Sequence, residues 1–99
     1  MILEVVDIRI QPGQQTAFEQ AVRAGIATAI APAKGFGRYE LRHSLESPER
    51  YLLLIHWETL ADHTEGFRNS PAYGPWRTLV GPFFAQPPLV EHFAACAAH

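Results

Sequence analysis

Residues Arg50 to Glu58 carry apolar side chains on both sides of an extended chain. Tyr51, Leu53, Ile55 and Trp57 fall on one side, and Leu52, Leu54 and His56 on the other. A strand that is apolar on both faces must be covered on both faces. That requirement bounds what a chain of 99 residues can fold into. Its helices suffice to cover one face of a four-stranded sheet. Nothing is left for the second face, so the expected cover is another copy of the sheet, making an obligate homodimer.

The rest of the chain supplies such a sheet. Ile2 to Ile10 alternates, with Ile2, Val6, Ile8 and Ile10 on one face, and its β-branched content favours a strand. Gln11-Pro12-Gly13 breaks the pattern. From Gln14 the period becomes helical: Phe18, Ala21, Val22, Gly25, Ile26 and Ala29 make one apolar stripe, ended by Pro32. Phe36 to Leu45 alternates again, with Tyr39, Leu41, His43 and Leu45 together, and a short polar loop at residues 46–49 returns the chain as a hairpin. Thr59 is expected to cap a second helix, with Asp62 completing a capping box and Leu60, His63 and Phe67 facing inward. Ser70-Pro71 signals a third helical start, followed by Tyr73, Trp76, Val80 and Phe83 or Phe84 at helical spacing. Pro75 should kink or shorten that helix, Gly81-Pro82 ends it, and Leu89 to Phe93 forms a last strand before a frayed tail at 94–99. The order is β-α-β-β-α-β, an α+β ferredoxin-like arrangement in a single domain spanning 1–99.

Composition excludes several classes. At 47% hydrophobic and 18% charged the chain has enough apolar side chains for a small core and is not a disordered segment. A net charge of −2 with no basic run offers no footprint for nucleic acid. The apolar run Leu52–Ile55 is far short of the roughly 18–20 residues a membrane span needs. Met1-Ile2 begins without a basic n-region, so no signal peptide is read. Cys96 is alone, which excludes an internal disulfide and fits a cytoplasmic location.

Pro12-Gly13 after the first strand, Tyr39-Glu40-Leu41 in the second, the hairpin Ser47-Pro48-Glu49-Arg50, Trp57-Glu58 closing the third and Ser70-Pro71-Ala72-Tyr73 occur in an order and spacing that resembles the antibiotic biosynthesis monooxygenase domain. The resemblance covers nearly the whole chain. It implies a dimeric α+β barrel, with two ferredoxin-like sheets face to face and a pocket in each subunit between helices and sheet. It also implies chemistry of more than one kind: cofactor-free oxygenation of polyphenolic or quinol substrates, haem degradation, or handling of signalling molecules. Fold alone does not choose among these. Many members carry a histidine three residues before the Ser-Pro, where this chain has Phe67. Haem-degrading members use an Asn and a Trp at positions that here correspond to Val6 and Phe67.

The expected function is cofactor-independent oxygenation of a small aromatic metabolite. The alternative is a non-catalytic protein binding a small aromatic or lipophilic molecule. His63 is the expected base, since an imidazole at an inward helical position can accept a proton near neutral pH; the plainer reading is a hydrogen-bonded core histidine. Tyr73 is expected to orient the substrate, with Phe67, Trp76 and Phe83 packing on its ring and Arg68 holding an anionic group. His43 would reach the pocket only if its strand turns its apolar face toward the helices. His43, His56 and His63 lack metal-ligand spacing, and there is no GxGxxG or phosphate-binding loop, so neither metal nor cofactor is expected.

Overall fold

Four antiparallel strands form one sheet in which the second, third, first and fourth strands of the chain lie side by side in that order, with all helical segments on one face. They are β1 (Ile2–Arg9), β2 (Phe36–His43), β3 (Arg50–Trp57) and β4 (Leu89–Ala94). The computed structural model describes all 99 residues. Helix α1 (Gln15–Gly25) and its extension Ile26–Ile30 link β1 to β2; the segment Asp62–Phe67 and helix α2 (Tyr73–Val80) link β3 to β4. This is the expected ferredoxin-like α+β topology.

The two-sided strand is central. Along β3, Tyr51, Leu53, Ile55 and Trp57 are buried against the helices, while Leu52, Leu54 and His56 are half-buried on the outer face. The inner set joins Val6 and Ile8 of β1, Phe18, Val22, Ile26 and Ile30 of the first helical unit, and Phe67 and Val80 of the second crossover. On the outer face the register places Leu3 and Val5 beside His56 and Leu54, and Phe93 of the edge strand β4 beside Leu3. No element of the chain covers this apolar surface. Phe93 is 48% exposed there, and the His56 Nδ1 atom is buried without a hydrogen-bond partner. A charge pair breaks the patch at one end, where Arg50 donates to both carboxylate oxygens of Asp7 at 2.7 and 3.1 Å.

The helices depart from simple α geometry twice. The Ala31 N–H donates to Ile26 O at 2.7 Å, and the Arg68 N–H to His63 O at 3.1 Å. Both bonds span five residues, the π-helical pattern, which is often found at functional sites. The single helix expected from Gln14 to Pro32 is therefore an α-helix that widens after Gly25. The second π segment carries His63 and Phe67. Thr59 and Asp62 form the expected capping box, each backbone N–H meeting the other's side-chain oxygen at 3.2 Å.

Four local expectations change. Leu60 is 47% exposed rather than inward, because it precedes the widened turn that sets the inner face. Ser70 Oγ donates to Phe67 O at 2.7 Å, closing the preceding segment; α2 begins later, with Ala72 at its N-cap and no side-chain cap. Pro75 consequently lies in the first turn of α2, where its missing N–H has no helical partner to lose. Strand β2 ends at His43, leaving Leu45 exposed in the hairpin.

Candidate active site

Between the inner sheet face and the helices lies a cavity of about 290 Å³. That suits a ligand of one or a few rings, near the lower end of small-molecule sites. Most of its lining is apolar: Val6 and Ile8 of β1, Phe18 and Val22 of α1, Leu53 and Ile55 of β3, and Val80 of α2. One wall is aromatic. The Trp57 and His63 rings stack at 5.4 Å, Phe67 lies 6.0 Å from Trp57, and Tyr73 meets Phe67 edge-on at 5.7 Å. Trp76 completes the wall, and the Arg77 guanidinium sits 5.9 Å from the centre of the Tyr73 ring. Flat aromatic ligands are held by such surfaces through stacking and edge contacts.

The polar end is built around Glu4, buried in phase with Val6 and Ile8. Its Oε1 accepts a hydrogen bond from Trp57 Nε1 at 2.9 Å, and its Oε2 lies 3.4 Å from His63 Nε2. His63 Nδ1 in turn lies 2.8 Å from Nε2 of His92, the residue that β4 places opposite Glu4. Burial raises the Glu4 carboxyl above its usual range, opposed by the Trp57 hydrogen bond and the charge of Arg68. Burial also pushes His63 down to about 4, with the charges of Arg68 and His92 acting in the same direction. His92 is lowered by burial and by Arg68. His63 is therefore a neutral imidazole at neutral pH, facing a carboxyl group whose proton affinity is raised.

Of the residues expected from sequence, His63, Phe67, Arg68, Tyr73 and Trp76 all line this one cavity. His43 does not. It lies on the helix-facing side of the sheet, but at the far end of β2, where its ring stacks on Tyr51 at 4.3 Å and Nε2 sits 2.7 Å from Pro48 O. Phe83 packs edge-on against Phe18 in the core, and Phe84 lines the cavity instead. The cause is local: residues Gly81–Phe83 form a 3₁₀ turn, so the helical spacing counted from Trp76 no longer applies. Trp57 packs beneath the His63–Phe67 segment.

Glu4 and His92 were not picked out from sequence. The signal for Glu4 is a carboxylate in phase with Ile2, Val6 and Ile8, an inward position that needs a partner when buried. His92 gave no comparable signal, because its meeting with His63 depends on tertiary register. No group of three His, Cys, Asp or Glu side chains is arranged to hold a metal ion. No helix is long and apolar enough to cross a membrane.

Comparison with known proteins agrees with this architecture. Residues 1–79 match the family model described as antibiotic biosynthesis monooxygenase. The uncharacterised Bacillus subtilis protein YczJ is 42% identical over 93 residues, spanning 94% of this chain and 97% of that one. A crystal structure from Bordetella bronchiseptica, of a protein whose name assigns it to the antibiotic biosynthesis monooxygenases, superposes with a TM-score of 0.91 at 38% identity and covers 97% of both chains. A Nitrosomonas europaea protein named in the same way has a TM-score of 0.80 at 21% identity, covering 96% of this chain and 89% of its own, a likeness of fold.

Proposed function

This chain belongs to the antibiotic biosynthesis monooxygenase family, and on that premise we propose that it is a cofactor-independent monooxygenase acting on a small aromatic, quinol-type metabolite. The observation that carries the reading is the buried Glu4–His63 pair at the polar end of an aromatic-walled cavity. Cofactor-free oxygenation needs an electron-rich substrate anion that reacts with O2 directly. A carboxyl group of raised proton affinity beside a neutral imidazole is suited to taking the phenol or enol proton that creates this anion. Phe67 and Trp76 pack on the ring, Tyr73 orients it through its hydroxyl, and Arg68 favours the anion electrostatically. For an anthrone-type CH2 group the reaction balances as CH2 + O2 → C=O + H2O. The substrate supplies all the electrons.

The outer sheet face supports a homodimer. Leu3, Val5, Leu52 and Leu54 form a half-buried apolar strip, and a second copy of the sheet would offer the same strip to cover it. A second function reading, a non-catalytic binding protein for a small aromatic metabolite, is favoured by Phe67 at the position where many relatives carry histidine. Oxygen-electrode screening of quinols, anthrones and catechols, with binding followed by tryptophan fluorescence, separates the two. Oxygen uptake with at least one compound supports the oxygenase; binding without uptake across the set supports the binding protein.

A further inference from the structure

Glu4, His63 and His92 come from β1, the π-helical segment and β4, and they touch in a line that runs from the cavity to the edge of the sheet. His63 Nδ1 is within hydrogen-bond distance of His92 Nε2 at 2.8 Å, and its Nε2 faces Glu4 Oε2 at 3.4 Å, an ion-pair distance that a small side-chain rotation closes to a hydrogen bond. A neutral imidazole has one N–H and one lone pair. With both rings neutral, the 2.8 Å contact between His63 and His92 allows two arrangements. In the first, His63 carries its proton on Nε2, aimed at Glu4, and Nδ1 accepts from His92 Nε2–H. In the second, Glu4 is protonated and donates to His63 Nε2, while His63 Nδ1–H donates to His92 Nε2. The other Glu4 oxygen is held by Trp57 Nε1–H, so Oε2 is the one left for the line.

We propose that Glu4, His63 and His92 form a two-state proton wire that loads and unloads Glu4 with solvent protons from the edge of the sheet rather than through the cavity. Loading begins when a proton from solvent binds His92 Nδ1. The His92 Nε2 proton then moves to His63 Nδ1, and the His63 Nε2 proton moves to Glu4 Oε2. One proton enters, one arrives, and both rings change tautomer; unloading is the reverse. Protonated Glu4 is an acid toward a reduced oxygen species in the cavity, and ionised Glu4 is a base toward the substrate. That catalytic use rests on the oxygenase reading, whereas the wire itself does not. His63 becomes a relay and positioning group. Arg68 is the other charge acting on all three members.

The test reads tautomers, and it needs no turnover. Nitrogen-15 NMR of the imidazole rings distinguishes a protonated from an unprotonated ring nitrogen. In wild type above the Glu4 titration, His63 and His92 are both expected as the Nε2–H form. In Glu4→Gln, the Trp57 N–H holds the amide oxygen and leaves the amide NH2 facing His63 Nε2, so both rings are expected as the Nδ1–H form at the same pH. The same His63 tautomer in both proteins overturns the wire. Should Glu4→Gln not fold, acidifying wild type decides the matter: both rings must exchange tautomers with one shared midpoint. Separate midpoints, or protonation with no exchange, overturn it. Loss of oxygenase activity in every assay would leave these outcomes unaffected.

Discussion

A Cβ atom on Gly25 would stand 2.6 Å from Cε3 of Trp76, so α1 and α2 approach as closely as they do because residue 25 has no side chain. Trp76 is also part of the cavity wall. Gly25→Ala must therefore push the indole toward the cavity. The expected loss of stability is about 1–3 kcal/mol from overpacking, offset in part by alanine's helix preference of about 1 kcal/mol. Urea denaturation measures the first effect, and a changed tryptophan emission with weaker ligand binding reports the second. Unchanged stability and binding would mean that the two helices separate freely.

Association follows from the uncovered sheet face. Sedimentation at micromolar concentration should give a mass twice 11.1 kDa. Leu54→Asp, which places a charge in the middle of the outer apolar strip, should shift the equilibrium to monomer. A folded wild-type monomer under these conditions would leave the outer side of β3 without its expected cover.

Acid sensitivity follows from His63. The unfolded chain binds a proton at this residue below about 6.5, and the folded chain does so only near 4. Between those values the unfolded state holds more protons, so stability falls as pH falls through this window. The full difference corresponds to about 3 kcal/mol at 1.36 kcal/mol per unit. His92 contributes in the same direction, and Glu4, with its raised affinity, opposes it. Denaturant midpoints measured from pH 7 to 4 should decline in wild type and decline less in His63→Gln. Equal slopes in the two proteins would remove His63 as the source.

Turnover and binding should separate by residue. With an active substrate, His63→Ala is expected to lower kcat by about 10²–10⁴-fold, the usual range for a positioned acid–base group. Phe67→Ala should chiefly raise KM, since it removes contact area without removing a proton carrier. Truncating this buried ring can cost about 3–5 kcal/mol, so circular dichroism has to establish folding first. A folded His63→Ala protein with full turnover across pH 5–8 would remove the proton-transfer role.

Much of the site was legible because side-chain direction in a strand or helix is a local property. The spacing of His63, Phe67, Tyr73 and Trp76 placed four of the cavity's residues together. Where local geometry departed from the regular period, spacing misled: Leu60 before the π-helical turn and Phe83 in the 3₁₀ turn were both assigned the wrong surroundings. His43 shows a different limit. Its strand does turn the apolar face toward the helices, the condition that the sequence leaves open, yet the residue's distance along the strand keeps it out of the cavity.

The sequence alone determined the element order, the alternating faces of β1, β2 and β3 and the need to cover both sides of Tyr51–Trp57, since alternation is set within a few residues. Tertiary structure decided that Glu4, near one end of the chain, meets His63 and His92, near the middle and the other end. That meeting depends on the register of β1 with β4 and on the extra width of a π turn. It also decided the charge state of the imidazole. A proton affinity reflects the solvent excluded and the charges gathered around a group, and those surroundings exist only once the distant segments have packed.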